Sequence, residues 1–299
     1  MSMPQALAGG FAQDQIHELL TEACNRVGLS SSGATLLRGH SNAVFLLAPE
    51  PVVVKILRHG SDIEAAVATT RLAQWLQDQE FPTVSLYPGV DQPQLVDGHA
   101  VTYWTYIPQP SFPVAAAELG RPLRLLHELR LPSIPLPRLD AFAAIRRSID
   151  ATTALTDREL GILNDRFDEL DRCYPDMPEL RDVVLHGDPQ HRNALILPTG
   201  TVLCDWDSAV VGPPEWDLVT IDVHCRRFGY PPDHYDDFAA AYGRDVRDWK
   251  GYRLFRGLRE LRMISTNARK AQPGPTLDEV RRRIRGLQNG DDHQSWNIL

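Results

Sequence analysis

Between residues 14 and 28, Ile16, Leu19, Leu20, Ala23 and Val27 recur at helical spacing, which predicts a first helix. Short runs rich in Val, Leu, Thr and aromatics follow: Ala34–Leu37, Ala43–Leu47, Val52–Leu57, Thr83–Tyr87 and Ala100–Tyr106. Gly, Pro and Asp punctuate them, so they read as strands, with one helix, Ile63–Gln77, among them. After Tyr106 the pattern changes. Pro108, Pro110 and Pro113 mark a connector over about 104–112. Helical periodicity then dominates, over Ala115–Glu128, Ala141–Asp150, Asp157–Cys173, Tyr235–Tyr242, Val246–Ile264 and Leu277–Leu287. Pro122 inside the first of these is expected to kink or restart it. Two short strands, Val183–Leu185 and Val202–Cys204, interrupt the helices, and each runs straight into a polar cluster.

This order predicts an α+β chain: residues 1–105 as a small strand-rich part and 106–299 as a larger helical part. A cleft between two such parts is a common ligand site. In the Val246–Ile264 segment, Trp249, Tyr252, Phe255, Leu258 and Leu261 form a core stripe. Arg253, Arg256, Arg259 and Arg262 form a stripe beside it.

The 299 residues are 43% hydrophobic and 23% charged, which excludes global disorder. A net charge of -8 weighs against nucleic acid as a partner. Cys24, Cys173, Cys204 and Cys225 are scattered, as expected of reduced thiols in a cytoplasmic protein. His and Cys are not clustered along the chain as a zinc site would need. Met1–Gly10 lacks a basic start followed by an apolar stretch, so no signal peptide is expected. No apolar run approaches the roughly 20 residues of a membrane helix, so no membrane span is expected either.

The chemistry concentrates in two clusters. His186-Gly187-Asp188-Pro189-Gln190-His191-Arg192-Asn193 follows the strand Val183–Leu185, and Cys204-Asp205-Trp206-Asp207 ends the next strand. A carboxylate, a carboxamide and a second carboxylate thus stand on two loops beside strands that could pair with each other. Phosphoryl transfer uses such a set: one carboxylate takes the acceptor's hydroxyl proton, and hard oxygens hold Mg²⁺ against the phosphates. The spacing from Asp188 to Asn193 matches the protein-kinase catalytic loop HRDxxxxN. The plain alternative is a set of turn-capping Asp, Asn and Gly residues.

Residues 184–218 resemble the signature of the aminoglycoside phosphotransferase and choline kinase family. The family's HGDxxxxN loop, its (I/L)-D-(W/F) element and its Gly-Pro-x-x-x-Asp-Leu turn are all matched, with Cys204 standing before Asp205 and the turn at Gly212–Leu218. The resemblance implies a protein-kinase-like bilobal fold. It makes Asp188 the catalytic base, Asn193 and Asp205 metal ligands, His186 a brace for the loop, and Asp217 structural. Asp207 reads as a local hydrogen-bonding residue or as a metal ligand. Val52-Val53-Val54-Lys55-Ile56 resembles the kinase V-A-I-K strand, which gives Lys55 the nucleotide phosphates. The plain alternative for Lys55, one of three lysines, is an edge-strand charge. Arg38–Phe45 resembles the family's nucleotide-covering turn, in which Ser41 and Asn42 would meet phosphate. The glutamate that usually partners the lysine in the family is missing, its place held by Thr69, and Glu64 is the substitute. Glu64 also fits a helix-start position. Trp104, Tyr106 and Ile107 correspond to the family's adenine-binding hinge. His127, in a helix like the family's LGxxLxxLH, reads as a buried structural histidine. Arg192 replaces a glycine common in the family.

The resemblance implies an ATP- or GTP- and Mg²⁺-dependent phosphotransferase acting on a hydroxyl of a small molecule, such as an aminoglycoside-like or other amine or sugar metabolite. The alternative is a pseudokinase-type nucleotide-binding module. The HGD form and the lack of a readable A-P-E segment weigh against a protein kinase. Asp222, Asp233, Asp236 and Asp237 read as solvated helix-end charges or as the lining of a pocket for a cationic amine. The sequence assigns no oligomeric state.

Overall fold

The computed structural model describes residues 13–39, 42–174 and 180–299. The chain divides into two compact units. One holds the described residues up to Phe112, with Pro132–Leu136 and Leu195–Ser208; the other holds Pro113–Leu131, Pro137–Ala194 and Ala209–Leu299. The sequence pattern suggests one boundary at 105/106; in the fold the chain re-enters the first unit twice after Phe112.

The first unit begins with α1 (Gln13–Arg26), β1 (Thr35–Gly39), β2 (Ala43–Leu46), β3 (Val52–Ile56), α2 (Ile63–Asp78), β4 (Gln94–Val96) and β5 (His99–Thr105). The strands form an antiparallel sheet in the order β1-β2-β3-β5-β4. Alternation along β3 decides what each face carries. Val52, Val54 and Ile56 are fully buried in a core with Ile16, Leu19, Leu20 and Ala23 of α1 and with Phe45 and Tyr103. Each such side chain contributes about 1.5–3 kcal/mol on burial, so a one-residue slip of β3 is strongly disfavoured. Val53 and Lys55 must therefore take the opposite face. The register sets Trp104 opposite Val53 and Thr102 opposite Lys55, so all four share that face. There Val53 and Trp104 join Ala73, Val84, Leu86, Ile107 and Cys204 in a second apolar cluster.

Two local expectations are corrected in this unit. Thr83–Tyr87 is not a strand: it bridges Leu203 through Thr83 and Trp104 through Leu86. It switches partners midway between Pro82 and Pro88, so no continuous ladder forms. β4 was missed by the strand pattern. It is joined to β5 by Asp97-Gly98 with φ of 45° and 77°, a two-residue hairpin turn of the type that Asp-Gly favours.

The chain continues as α3 (Ala116–Glu128), α4 (Ala141–Asp150), α5 (Asp157–Cys173), β6 (Val183–Leu185), β7 (Ala194–Leu197), β8 (Gly200–Leu203) and β9 (Val210–Gly212). After them come α6 (Glu215–Arg227), α7 (His234–Tyr242), α8 (Tyr252–Lys270) and α9 (Pro275–Gln288). The strands on either side of the HGD loop do not pair with each other. β6 pairs with β9, and β7 with β8. The β7–β8 hairpin closes through a short local turn, which costs little loop entropy. α3 runs unbroken through Pro122, its Leu119, Leu123 and Leu126 wholly buried. It packs so closely on α7 that a Cβ on Gly120 would stand 2.7 Å from Ala241 Cβ. α8 begins later than its pattern suggests, after a short 3-10 turn at Val246–Asp248. It packs on α4, α5, α6 and α9. Among the described residues no helix is long and apolar enough to cross a membrane.

Candidate active site

Lys55 leaves β3 on the face opposite the α1 core and is only 9% exposed. Its ammonium donates to Asp205 Oδ1 and to Asp207 Oδ2, each at 2.7 Å. A buried ammonium is tolerable only when paired in this way. Burial alone would lower the lysine's pKa; the carboxylates of Asp205 and Asp207 outweigh it and raise the value, so Lys55 is cationic.

The turn after β8 brings both acids to the lysine. Asp205 sits at a left-handed φ of 67°, which Asp tolerates better than most residues. The short 3-10 turn Trp206–Ser208 follows at once. Buried Trp206 anchors it by donating its indole N–H to Thr83 Oγ1 at 2.9 Å. Asn42 Nδ2 donates to Asp207 Oδ2 at 3.1 Å. Asp207 is thus the second partner of Lys55, a role the sequence reading did not assign; two acids spaced around an anchoring Trp were the available signal.

Glu64 does not take that role. It is exposed in the first turn of α2, and the ion pairs of Lys55 go to Asp205 and Asp207 instead. Its placement suits an acid at a helix N-terminus. Ser41 lies outside the described residues. Trp104 is buried on the Lys55 face, its indole N–H donating to Thr102 Oγ1 at 2.9 Å. The Tyr106 amide donates to the Pro51 carbonyl at 2.8 Å. Ile107 lines the second apolar cluster, and its carbonyl accepts from Gln109 Nε2 at 3.2 Å. Cys204, in the place of the family's Ile or Leu, joins that cluster, and burial with Asp205 alongside pushes its thiol up to about 12.

The HGD loop is built in the helical unit. Wholly buried Asp217, in the first turn of α6, accepts the His186 amide at 2.8 Å and the Gly187 amide at 2.9 Å. His127 Nε2 lies 3.1 Å from the same carboxylate, and its Nδ1 lies 2.9 Å from the Tyr242 hydroxyl. His127 is buried among these partners as a structural residue. Gly187 takes a φ of 81°, a conformation that favours glycine at this point of the motif. The Asp188 amide donates to His186 Nδ1 at 3.4 Å.

Asp188 is aimed by two side chains. Arg259 Nη2 donates to its Oδ1 at 2.5 Å and Gln190 Nε2 to its Oδ2 at 2.9 Å. Arg259 also reaches the Gly187 carbonyl at 3.3 Å and is 7% exposed. It belongs to the arginine stripe of α8, whose spacing marked a helix face but not which member turns inward. Asn193 donates Nδ2 to the Asp188 carbonyl at 3.0 Å. Arg192 is exposed.

Of the four acids after this loop, Asp222 is not a solvated helix-end charge. It is 1% exposed, accepts the Tyr252 hydroxyl at 2.7 Å, and burial raises its pKa. Asp236 pairs with Arg247, while Asp233 and Asp237 are exposed.

A sheet unit holding a paired lysine and a helical unit carrying an HGD loop are the parts of a protein-kinase-like α+β fold. Solved structures bear this out. Choline kinase LicA from Streptococcus pneumoniae aligns with a TM-score of 0.68 and 15% identity, over 92% of this chain and 99% of that one. Aminoglycoside phosphotransferase APH(3'')-Id from Streptomyces rimosus aligns with a TM-score of 0.62 and 18% identity, over 83% and 98%. The amicoumacin kinase hAmiN, in complex with AMP-PNP, Ca²⁺ and Ami, aligns with a TM-score of 0.68 and 13% identity, over 90% and 91%. Comparison with curated proteins gives no match. A family model described as the phosphotransferase enzyme family matches residues 33–255, and the chain belongs to that family. It is accordingly a phosphotransferase.

Proposed function

We propose that the enzyme transfers the γ-phosphoryl group of ATP or GTP, as the Mg²⁺ complex, to a hydroxyl of an amine- or sugar-bearing small molecule. The observation that carries this is the buried Lys55 ammonium held at 2.7 Å by both Asp205 and Asp207. Sequence-distant acids paired with a strand lysine suit phosphate and metal chemistry better than an edge charge deterring aggregation. Lys55 contacts the α- and β-phosphates in this reading. Asn42 lies beside the phosphates, Ser41 being assigned there by the motif alone, and the Trp104–Ile107 segment meets the base.

Asn193 and Asp205 would hold Mg²⁺. Their donors fit the ion: both offer hard oxygens, and the Asn193 amide nitrogen is already used by the Asp188 carbonyl, which leaves Oδ1 to a cation. When bound, Mg²⁺ neutralises charge on the phosphates. Asp188, oriented by Arg259 and Gln190, accepts the acceptor's hydroxyl proton as its oxygen bonds to the γ-phosphorus and the bond to the nucleoside diphosphate breaks. Choline kinase and aminoglycoside phosphotransferase among the similar structures support an amine- or sugar-bearing acceptor.

The test is acceptor-dependent release of nucleoside diphosphate across aminoglycosides, amino alcohols, sugars and nucleosides. Asp188→Asn should lower kcat by about 10²–10⁴-fold and leave nucleotide binding in place. Wild-type turnover in that variant refutes the assignment. Mg²⁺-nucleotide binding without turnover toward any acceptor favours the nucleotide-binding module.

A further inference from the structure

His191, Cys225 and His234 are far apart in sequence and meet within the helical unit. His191 belongs to the HGD loop, Cys225 to α6, and His234 opens α7. One ligating atom from each lies within 4.8 Å of the others, the one such His, Cys, Asp or Glu group among the described residues. The two Nε2 atoms are 2.9 Å apart, and the Ala116 amide also donates to His234 Nε2 at 3.2 Å. A nitrogen that accepts from an amide carries a lone pair, so the proton between the rings belongs to His191 Nε2. His191 Nδ1 is then a second bare lone pair. It is buried, on a residue 6% exposed, and finds no hydrogen-bond partner among the described residues. The Tyr230 ring lies flat against both imidazoles, with centroids at 4.5 and 4.7 Å.

Ring stacking explains why the rings are close; it does not explain a buried nitrogen without a partner on an imidazole that gathers with a second imidazole and a thiol. Neutral imidazole and thiolate are the donors of a borderline-soft divalent cation, unlike the hard oxygens assigned to Mg²⁺. Tetrahedral zinc, with Zn–N of about 2.0–2.1 Å and Zn–S of about 2.3 Å, sets its ligand atoms about 3.3–3.6 Å apart. The three ligating atoms, now within 4.8 Å of one another, reach that arrangement by side-chain shifts of up to about 1.5 Å, with a lone pair of each imidazole turned to the ion and the Ala116 amide released from His234 Nε2. His234 is only partly buried, which gives an ion a way in.

We propose that His191, Cys225 and His234 form a binding site for a zinc-class divalent cation, tying the HGD loop to α6 and α7. On binding, the Cys225 thiol releases its proton to solvent and coordinates as thiolate, while both imidazoles stay neutral. Without the ion, burial pushes the thiol up to about 12, so Cys225 remains protonated.

The test uses the full chain after chelator treatment, titrated with Zn²⁺ against a chromophoric chelator and with Co²⁺ by near-ultraviolet absorption. One Zn²⁺ should bind per chain, and Co²⁺ should give a thiolate charge-transfer band. Cys225→Ser should abolish the band and weaken Zn²⁺ at least about tenfold. His234→Ala, on a partly exposed ring, should weaken Zn²⁺ similarly, with circular dichroism confirming that both variants fold. Cys173→Ser, at an exposed thiol, should change neither reading. Bound Zn²⁺ should raise the melting temperature of the wild type and not of Cys225→Ser. Absence of the band in the wild type, or a band that survives Cys225→Ser, overturns the proposal.

Discussion

Asp217→Asn tests whether the HGD loop is held as the geometry indicates. The wild-type carboxylate accepts from His186 N, Gly187 N and His127 Nε2, and it is wholly buried. An asparagine can present its one oxygen where Oδ2 stood, keeping His186 and His127. Its NH₂ then meets the Gly187 amide, donor against donor. Leaving that amide unsatisfied costs about 1–3 kcal/mol. The two retained bonds lose their charge assistance and about half their strength, roughly another 1–2 kcal/mol. Removing a buried charge returns part of this, so the net loss is about 2–4 kcal/mol. At about 2–4 °C per kcal/mol for a unit of this size, thermal unfolding followed by circular dichroism should shift down by roughly 5–15 °C. Turnover should fall further than stability explains, because Asp188 follows directly on the freed Gly187 amide. A shift below about 2 °C would show that the three donors find other acceptors, and the anchoring role would be refuted.

Three further outcomes are expected. Arg259→Lys keeps the charge but cannot span the Gly187 carbonyl and Asp188 Oδ1; kcat should fall about tenfold or more with nucleotide KM unchanged, and an unchanged kcat removes Arg259 as a positioning residue. Asp207→Asn removes one of the two charges on Lys55 at a side chain 34% exposed; stability should change by about 1 kcal/mol or less while nucleotide KM rises severalfold, and the reverse outcome would make Asp207 purely structural. Burial raises the pKa of Asp222 above its unfolded value, so the folded state binds that proton more tightly. Wild-type stability from this group therefore falls as pH rises from the ordinary carboxylate range through the folded value. Asp222→Asn mimics the protonated form and should melt higher than wild type at pH 8, with the gain fading as pH is lowered; a gain independent of pH would reject the buried carboxylate as its source.

Much of the site was legible because its signals are local. HGDPQHRN after one strand and DWD after another carry the family's signature within two short windows. The alternation of Val52, Val54 and Ile56 against Val53 and Lys55 already separates a core face from a functional one. The Lys55 partnership was half legible: Asp205 stood in a motif, whereas Asp207 depended on how Trp206 anchors its turn on Thr83. For Glu64 the sequence left two readings open, and the fold takes the helix-start one, because helix position is local information and the choice of ion partner is not. The pairing of the strands around the loop was open for the same reason: β6 pairs with β9 and β8 with β7, a choice made by segments outside the two motifs.

The sequence by itself determined most of the helices, the two faces of β3 and the identity of the phosphotransferase motif, since these follow from periods of 3.6 and two and from fixed spacings. Tertiary structure decided which distant groups meet. It turned one arginine of four toward Asp188, buried Asp222, and drew two histidines and a cysteine from three elements to one point. Those pairings arise from packing between elements, whose energies depend on the whole core and leave no mark in any short window of residues.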